Sequence, residues 1–361
     1  MVDDMENKNM KDNEKSEILF YYESRQNPNG DPGFENQPRK MSDDRIIVTD
    51  VRIKRTIRDY AKNQLKEDIF VDYNEDGEPV QAQTRAADLL KKLSDKDKTN
   101  YNILLEKTFD VPLFGVLIPI PKANKKDSKK GDNSPDSTNS GDSDTNSKGS
   151  FFKITGPVQF GIGYSINKPE IISPTITSHF VGKDKSGDND NSKNYGSFGK
   201  FYSVNYALIK VNGVINPNNL EEHFSNANIK KNFDDNILQL KWCLWNGTNS
   251  LVTRSKYPQR SILYIEVTYK DGLLFNDLGY LIREKESLTG DKIKEFDPDG
   301  LDFSELEKVL IERKDIIDKI TIISCHELNS KINELKNKLN NDLLNKLYIE
   351  KENDNETKST G

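Results

Sequence analysis

The 361-residue chain has few of the residues that usually build catalytic or stapled sites. It holds two cysteines, Cys243 and Cys325, far apart and with no partner motif, so no disulfide framework is expected and a reducing cytosol suits it. Its three histidines, His179, His223 and His326, lack metal-ligand spacing, and Cys325-His326 is an isolated pair. No Ser/His/Asp or Cys/His constellation can be read from the order of residues. We therefore expect no metal, no cofactor and no catalytic centre. Apolar runs are also short. The longest, Val111 to Ile120, is interrupted by Pro112, Gly115 and Pro119 and is too short to span a bilayer. The first 15 residues are acidic and polar, without a signal core. A soluble, cytoplasmic protein with no membrane partner is expected.

The chain is acidic overall, with a net charge of −6, although binders of nucleic acid are usually basic. The acidity lies at the ends. Residues 1–17 carry six acids against three bases, and residues 290–361 carry 17 acids against 12 bases, so residues 18–289 carry +2. Within that body, residues 45–62 hold six bases and two acids. A patch decides binding, not an average, so a polyanion partner stays open.

Strand-like segments are expected at 17–22 (Glu17 to Tyr22, a dense apolar run), 68–72, 79–83, 158–166 (alternating Val158, Phe160, Ile162, Tyr164 and Ile166), 201–213 and 262–267. Helices are expected at 49–64, 84–93 and 233–245, the last stopping at Asn246-Gly247. Residues 1–15 and 121–150 are too polar to offset their ordering entropy and are expected to be disordered. A sparse excursion at 173–200 interrupts the body, which runs over 16–325 as one domain. Residues 326–361 are read as a helical extension and mobile tail. Its stripe of Leu328, Ile332, Leu335, Leu339, Leu343 and Leu347 would form a small coiled coil with a neighbour or fold back on the body. The strong elements run strand, helix, strand, strand, helix, strand. That order predicts an α+β, ferredoxin-like (RRM-like) βαββαβ core with long insertions, the plan of RNA-recognition modules whose open sheet stacks bases. The aromatic signature of those modules is missing.

The densest chemistry lies in Asn27-Pro28-Asn29-Gly30-Asp31-Pro32 and in Thr49-Asp50-Val51-Arg52-Ile53-Lys54-Arg55. The first alternates prolines that fix φ with Asn29 and Gly30, which tolerate positive φ, and so forms a shaped turn. Thr49 or Asp50 caps the helix that follows. Ile53, Ile57, Tyr60, Ala61 and Gln64 share its core side, while Arg52, Lys54, Arg55, Arg58 and Lys62 spread over the other, where they suit a phosphate backbone or plain solvation. Asp31 fits an Asx turn; the alternative is a catalytic carboxylate.

These two motifs, followed in order by Leu113-Phe114-Gly115, Thr155-Gly156-Pro157-Val158-Gln159-Phe160 and Thr253-Arg254-Ser255-Lys256, resemble a CRISPR-associated family. The likeness is to the repeated backbone subunit of Cascade surveillance complexes (RAMP superfamily), most closely the type I-B, Csh-type branch. It covers about residues 16–270. It implies a modified RNA-recognition fold with palm, finger and thumb, in which copies line up along one CRISPR RNA (crRNA) as a helical filament. The filament would present the guide to target DNA, sit among other Cascade subunits, and leave cutting to a recruited nuclease-helicase. A subunit serving any guide holds backbone and shape, because pairing reads sequence. RNA contacts are thus expected at Asn27, Asn29, Gly30, Arg45, Arg52, Lys54, Arg55, Arg58, Gly156, Gln159, Arg254 and Lys256. Main-chain donors at Asn29-Gly30 and Thr155-Gly156 would cradle phosphates. By the same resemblance the excursion 173–200 is the thumb, with Phe180 as a wedge between bases or as a simple loop-packing residue. Two other classes remain: a type III-like ribonuclease backbone acting through Asp31, and a stand-alone RRM-like binder of short RNA.

Overall fold

The computed structural model describes residues 14–74, 76–93, 100–120, 150–177, 198–290 and 292–350. The expected disordered insertion, apart from Ser150, and the wedge candidate Phe180 lie outside them, as do the first 13 residues. The strands used below are β1 (Lys15–Ser24), β2 (Ile47–Val48), β3 (Gly115–Ile120), β4 (Ser150–Thr155), β5 (Val158–Phe160), β6 (Gly163–Ser165), β7 (Ala207–Ile215), β8 (Gln259–Tyr269), β9 (Ile317–Ser324) and β10 (Leu347–Glu350). The helices used below are α1 (Asp50–Tyr60), α2 (Ala82–Leu93), α3 (Asn102–Lys107), α4 (Asp110–Phe114), α5 (Ala227–Asn249), α6 (Ser304–Glu312) and α7 (Asn329–Lys338).

Eight strands form one mixed sheet in the order β10-β9-β8-β1-β7-β6-β2, with β5 beside β6 on β7. Every pairing is antiparallel except β9 with β10. The central place of β1 explains its unbroken apolar run, because a strand covered on both faces has no polar side to alternate with. Ile18, Phe20 and Tyr22 join the first core with Ile53 and Ile57 of α1 and Phe233 and Leu240 of α5. Leu19 and Tyr21 join a second core with Leu278, Leu306, Leu310, Ile332 and Leu335. The sheet therefore differs from the open one of RNA-recognition modules: its second face is closed by the chain after residue 270. Buried Glu17 pins that cover, accepting the backbone N–H groups of Phe275, Asn276 and Leu278 at 2.7, 2.7 and 3.1 Å.

Helix α1 forms as its pattern predicts. Thr49 sits at φ −71° and ψ 152°, and its side chain accepts from the N–H of Arg52. The helix continues as one π-helical turn, Ala61–Leu65, and that wider turn rotates the phase, so Gln64, expected on the core side, is exposed. Helix α5 runs past the expected stop at Gly247, because that glycine is where α5 crosses α1. A Cβ there would lie 3.0 Å from the Thr56 carbonyl oxygen.

Three expected strands differ. Residues 68–72 are irregular, since their backbone groups are served by side chains: Asp110 accepts from the N–H of Phe70 and Val71, and Arg85 donates to the carbonyls of Ile69 and Phe70. Residues 79–81 form no strand and lead into α2, which begins at Ala82. The 158–166 segment breaks at Gly161-Ile162. Phe160 faces Gly213 and Tyr164 faces Lys210, a one-residue bulge that turns Ile162 outward at 62% exposure. The C-terminal leucine stripe folds back: Leu328, Ile332, Leu335, Leu339 and Leu343 are buried in the second core, and the last described residues form β10 at the sheet edge in place of one continuous helix.

Strands β3 and β4 pair as a separate ribbon whose ends flank residues 121–149. One side packs on α2 and the first core, with Phe152 stacked 5.4 Å from Tyr101. Its base is the meeting of two motifs, Leu113-Phe114-Gly115 and Thr155-Gly156-Pro157, backbone against backbone.

Candidate nucleic-acid interface

Strand β1 delivers the chain into the Asn-Pro-Asn-Gly loop, and three contacts fix where the loop lies. The N–H of Asn27 donates to the Ser255 carbonyl at 3.0 Å, Lys256 Nζ donates to the Asn27 carbonyl at 2.6 Å, and Asn29 Nδ2 reaches Thr49 Oγ1 at 3.4 Å. The loop is a short hairpin in which Gly30-Asp31 pairs with Gln37-Pro38. Asn27 Nδ2 donates across it to the Asn36 carbonyl. Gly30 is needed there: a Cβ would stand 2.9 Å from that carbonyl oxygen. So the loop, the start of α1 and the 253–256 turn, remote in sequence, converge.

Between them opens a cleft of about 500 Å³. Asn27, Asn29 and Gly30 line one side, Arg52 and Lys256 the floor, and Phe201 and Tyr202 the wall opposite. Among the described residues neither Arg52 nor Lys256 has a carboxylate within ion-pair distance, although Arg52 Nη2 donates to Thr56 Oγ1 at 2.8 Å. Burial lowers the pKa of the Arg52 guanidinium. Burial, and then the charge of Arg52, push the Lys256 ammonium down to about 8. Arg52 thus disfavours the charge of Lys256 in a half-enclosed cleft, and neither cation is ion-paired among the described residues, so an anion bound between them would favour both charged forms.

The remaining expected contacts divide. The cationic flank of α1 is largely neutralised, partly by carboxylates four residues away on the helix itself and partly by Asp72 and Asp110, which only the fold brings near. Arg55 pairs with Asp59 at 2.6 Å and Asp72 at 3.5 Å, and Lys62 pairs with Asp72 at 2.5 Å. Lys54 holds Asp50 and the Gln159 side chain, both at 3.2 Å. Arg58 is buried, its Nε 2.7 Å from Asp110 and its guanidinium 5.0 Å from the Phe114 ring. These are braces, and Arg58 is withdrawn from the phosphate set because solvent does not reach it. Gly156 is withdrawn too, because it is buried against the Phe114 and Gly115 backbone; its carbonyl accepts from Gln159 and Asn219. Gln159 thus links Lys54 to the Gly156 backbone and lies off the cleft. Arg45 pairs with Asp43 and stacks 4.7 Å over Tyr164, also off the cleft. Arg254 is exposed at the cleft margin, 5.6 Å over Phe201. Asp31 accepts from the N–H of Gly33 at 2.9 Å and lies 3.6 Å from Arg39, as an Asx turn should, and it does not line the cleft.

Sequence reasoning missed Glu35, Lys200 and the role of Phe201-Tyr202. The aromatic pair reads as the start of a strand, and nothing local connects it to a loop far upstream. Among the described residues no cluster of His, Cys, Asp and Glu could hold a metal ion, and no helix is long and apolar enough to cross a membrane.

Residues 13–299 match the family model described as CRISPR-associated protein Cas7. The chain belongs to that family. Two solved structures, titled "CRISPR RNA-guided surveillance complex" and "CRISPR RNA-guided surveillance complex, pre-nicking", each contain a chain 11% identical with a TM-score of 0.44. The alignments cover 87% of this chain and 89% of the first, and 86% and 92% for the second. A structure titled "Cryo-EM structure of the Type III-B Cmr-beta bound to cognate target RNA" aligns over 56% of this chain and 47% of the other, at 10% identity and a TM-score of 0.27. No curated protein matches the chain.

Proposed function

We propose that the protein is a non-catalytic backbone subunit of a type I CRISPR surveillance complex, of the I-B branch by its motifs. Copies would line up along a crRNA beside other Cascade subunits and present it to target DNA, with cleavage left to a recruited nuclease-helicase. Family membership supports this reading, and the observation that carries it is the Arg52–Lys256 pair on the cleft floor, neither of them ion-paired among the described residues. Three of the five motifs build that cleft; the other two build the base of the ribbon. The run β1, α1, β5–β6, β7, α5, β8 has spatial order β8-β1-β7-β6 with both helices on the first core, which supports a ferredoxin-like core.

Native mass spectrometry with RNAs of increasing length tests the assembly: protomers should add one at a time for each fixed increment. A one-to-one complex indifferent to RNA length would end the backbone reading. The double variant Arg52→Ala/Lys256→Ala tests the cleft. Charge-assisted hydrogen bonds contribute about 1.5–3 kcal/mol each, so affinity should fall at least about tenfold per cation, equally for all sequences. The salt slope should flatten by roughly 1.4, from about 0.7 for each single-strand phosphate contact.

The cleft also predicts a pH dependence. Lys256 keeps its proton below about 8 and loses it above. A bound phosphate favours the charged form, so binding takes up a proton on the alkaline side, and affinity should decline as pH rises from 7 to 9. Lys256→Arg, which stays charged, should flatten that profile. A wild-type profile already flat across the range would remove Lys256 from the contact set.

A further inference from the structure

Among the described residues the cleft lining holds one acidic side chain, Glu35, and that residue belongs to the hairpin and not to the floor. Glu35 stands at the hairpin tip, where it and Asn36 take φ of 49° and 59°. Left-handed backbone is routine for asparagine and uncommon for glutamate, so this position is shaped more for its turn than for its side chain. The glutamate nevertheless reaches across the cleft mouth. Its Oε2 accepts from Tyr202 Oη at 2.9 Å and lies 3.8 Å from Lys200 Nζ. Behind the tip, Gln37-Pro38 runs beside Ser203-Val204, so the hairpin and the 200–204 segment lie side by side. The carboxylate therefore pairs with a third cation at the cleft, whereas among the described residues Arg52 and Lys256 meet only neutral acceptors, Thr56 Oγ1 and the Asn27 carbonyl.

We propose that Glu35 is a clasp: in the free protein its carboxylate holds Tyr202 and Lys200 across the mouth of the cleft, and a phosphodiester chain must displace it to reach Arg52 and Lys256. This rests on the cleft being the anion site. Glu35 and its partners are largely exposed, with side chains 62% and 68% open for Glu35 and Lys200, so the clasp is weak enough to open at ordinary temperature. Opening it removes a negative charge from the path of the incoming phosphates and releases Lys200 to meet them. Glu35 thus sets a threshold. A ligand with several phosphates offsets the lost contacts, whereas a single small anion at the mouth meets a competing carboxylate. The hairpin can swing without disturbing the floor, because Asn27 and Asn29 tie its base to Ser255 and Thr49 while only side chains tie its tip.

Four variants of the full chain decide the matter by fluorescence anisotropy and stopped-flow association with a fluorescein-labelled, mixed-sequence single-stranded RNA. Glu35→Asn keeps a residue that tolerates the left-handed backbone and is too short to reach Tyr202. Tyr202→Phe keeps the ring and removes the donor. Both should tighten binding about two- to five-fold, mainly through faster association, and their double variant should gain no more than the better single one, because each opens the same contact. Arg52→Ala/Lys256→Ala should lose binding. If that variant binds weakly while Glu35→Asn binds no tighter than wild type, the clasp is overturned and the cleft stands. If Arg52→Ala/Lys256→Ala binds as tightly as wild type, the cleft reading falls and the clasp with it. Additive gains from Glu35→Asn and Tyr202→Phe would also overturn the clasp, since two independent contacts would then be involved.

Discussion

Replacing Arg58 by alanine should lower the unfolding free energy by about 3–5 kcal/mol, the usual result of breaking a buried ion pair by removing one partner. Asp110 would be left 1% exposed with its charge facing the Phe114 ring instead of a guanidinium. It could not leave, because the same carboxylate accepts the N–H groups of Phe70 at 2.7 Å and Val71 at 3.1 Å and so holds the irregular 68–72 segment in place. Urea unfolding with an unchanged m-value checks this, and Arg58→Lys should recover only part of the loss, since an ammonium lacks the Nε that donates to Asp110. A midpoint shift worth less than about 1 kcal/mol would mean that water enters and that the pair is not structural.

Gly115→Ala and Gly156→Ala should each detach the ribbon from the body. A Cβ on Gly156 would stand 2.2 Å from the Phe114 carbonyl carbon and 2.4 Å from the Gly115 nitrogen, and one on Gly115 would stand 2.3 Å from the Ile154 carbonyl oxygen. The obstacles are backbone, so no rotamer change relieves them. Gly115 adds a conformational term: at φ 77° and ψ −178° it occupies a region almost closed to other residues, at a strain of about 1–3 kcal/mol. Hydrogen exchange provides the reading. Amides of Val116 to Ile118 and Phe152 to Ile154 should lose protection, while those of β1 and β8 keep theirs. Equal protection in variant and parent would show that the two motifs do not need this close approach.

How much of this could be read beforehand follows from the range of each interaction. The Glu17 to Tyr22 run announces a strand, and it is one, although its burial on both faces follows only from its central place in the sheet. The Thr49 cap and the Ile53–Ile57–Ala61 spacing announce α1. The leucine stripe of 328–343 announces burial, but not against what. The 68–72 segment misled, because its apolar residues are of strand type while its hydrogen bonds go to Asp110 and Arg85. Tyr202 and Glu35 were illegible as a pair, since neither carries a local pattern that names the other.

The sequence by itself determined where the chain turns, caps and alternates, and which family it resembles, because those depend on residues a few positions apart and on motif order. Only the tertiary structure decided which cations remain available. Arg58 meets Asp110 from 52 residues away, and Lys256 meets the Asn27 carbonyl from 229 residues away. Folding neutralised the charges of α1 that looked most suited to RNA and left Arg52 and Lys256, from two separate motifs, side by side. The cause is physical: a charge is spent or spared by the groups within a few ångströms of it, and sequence distance does not measure that.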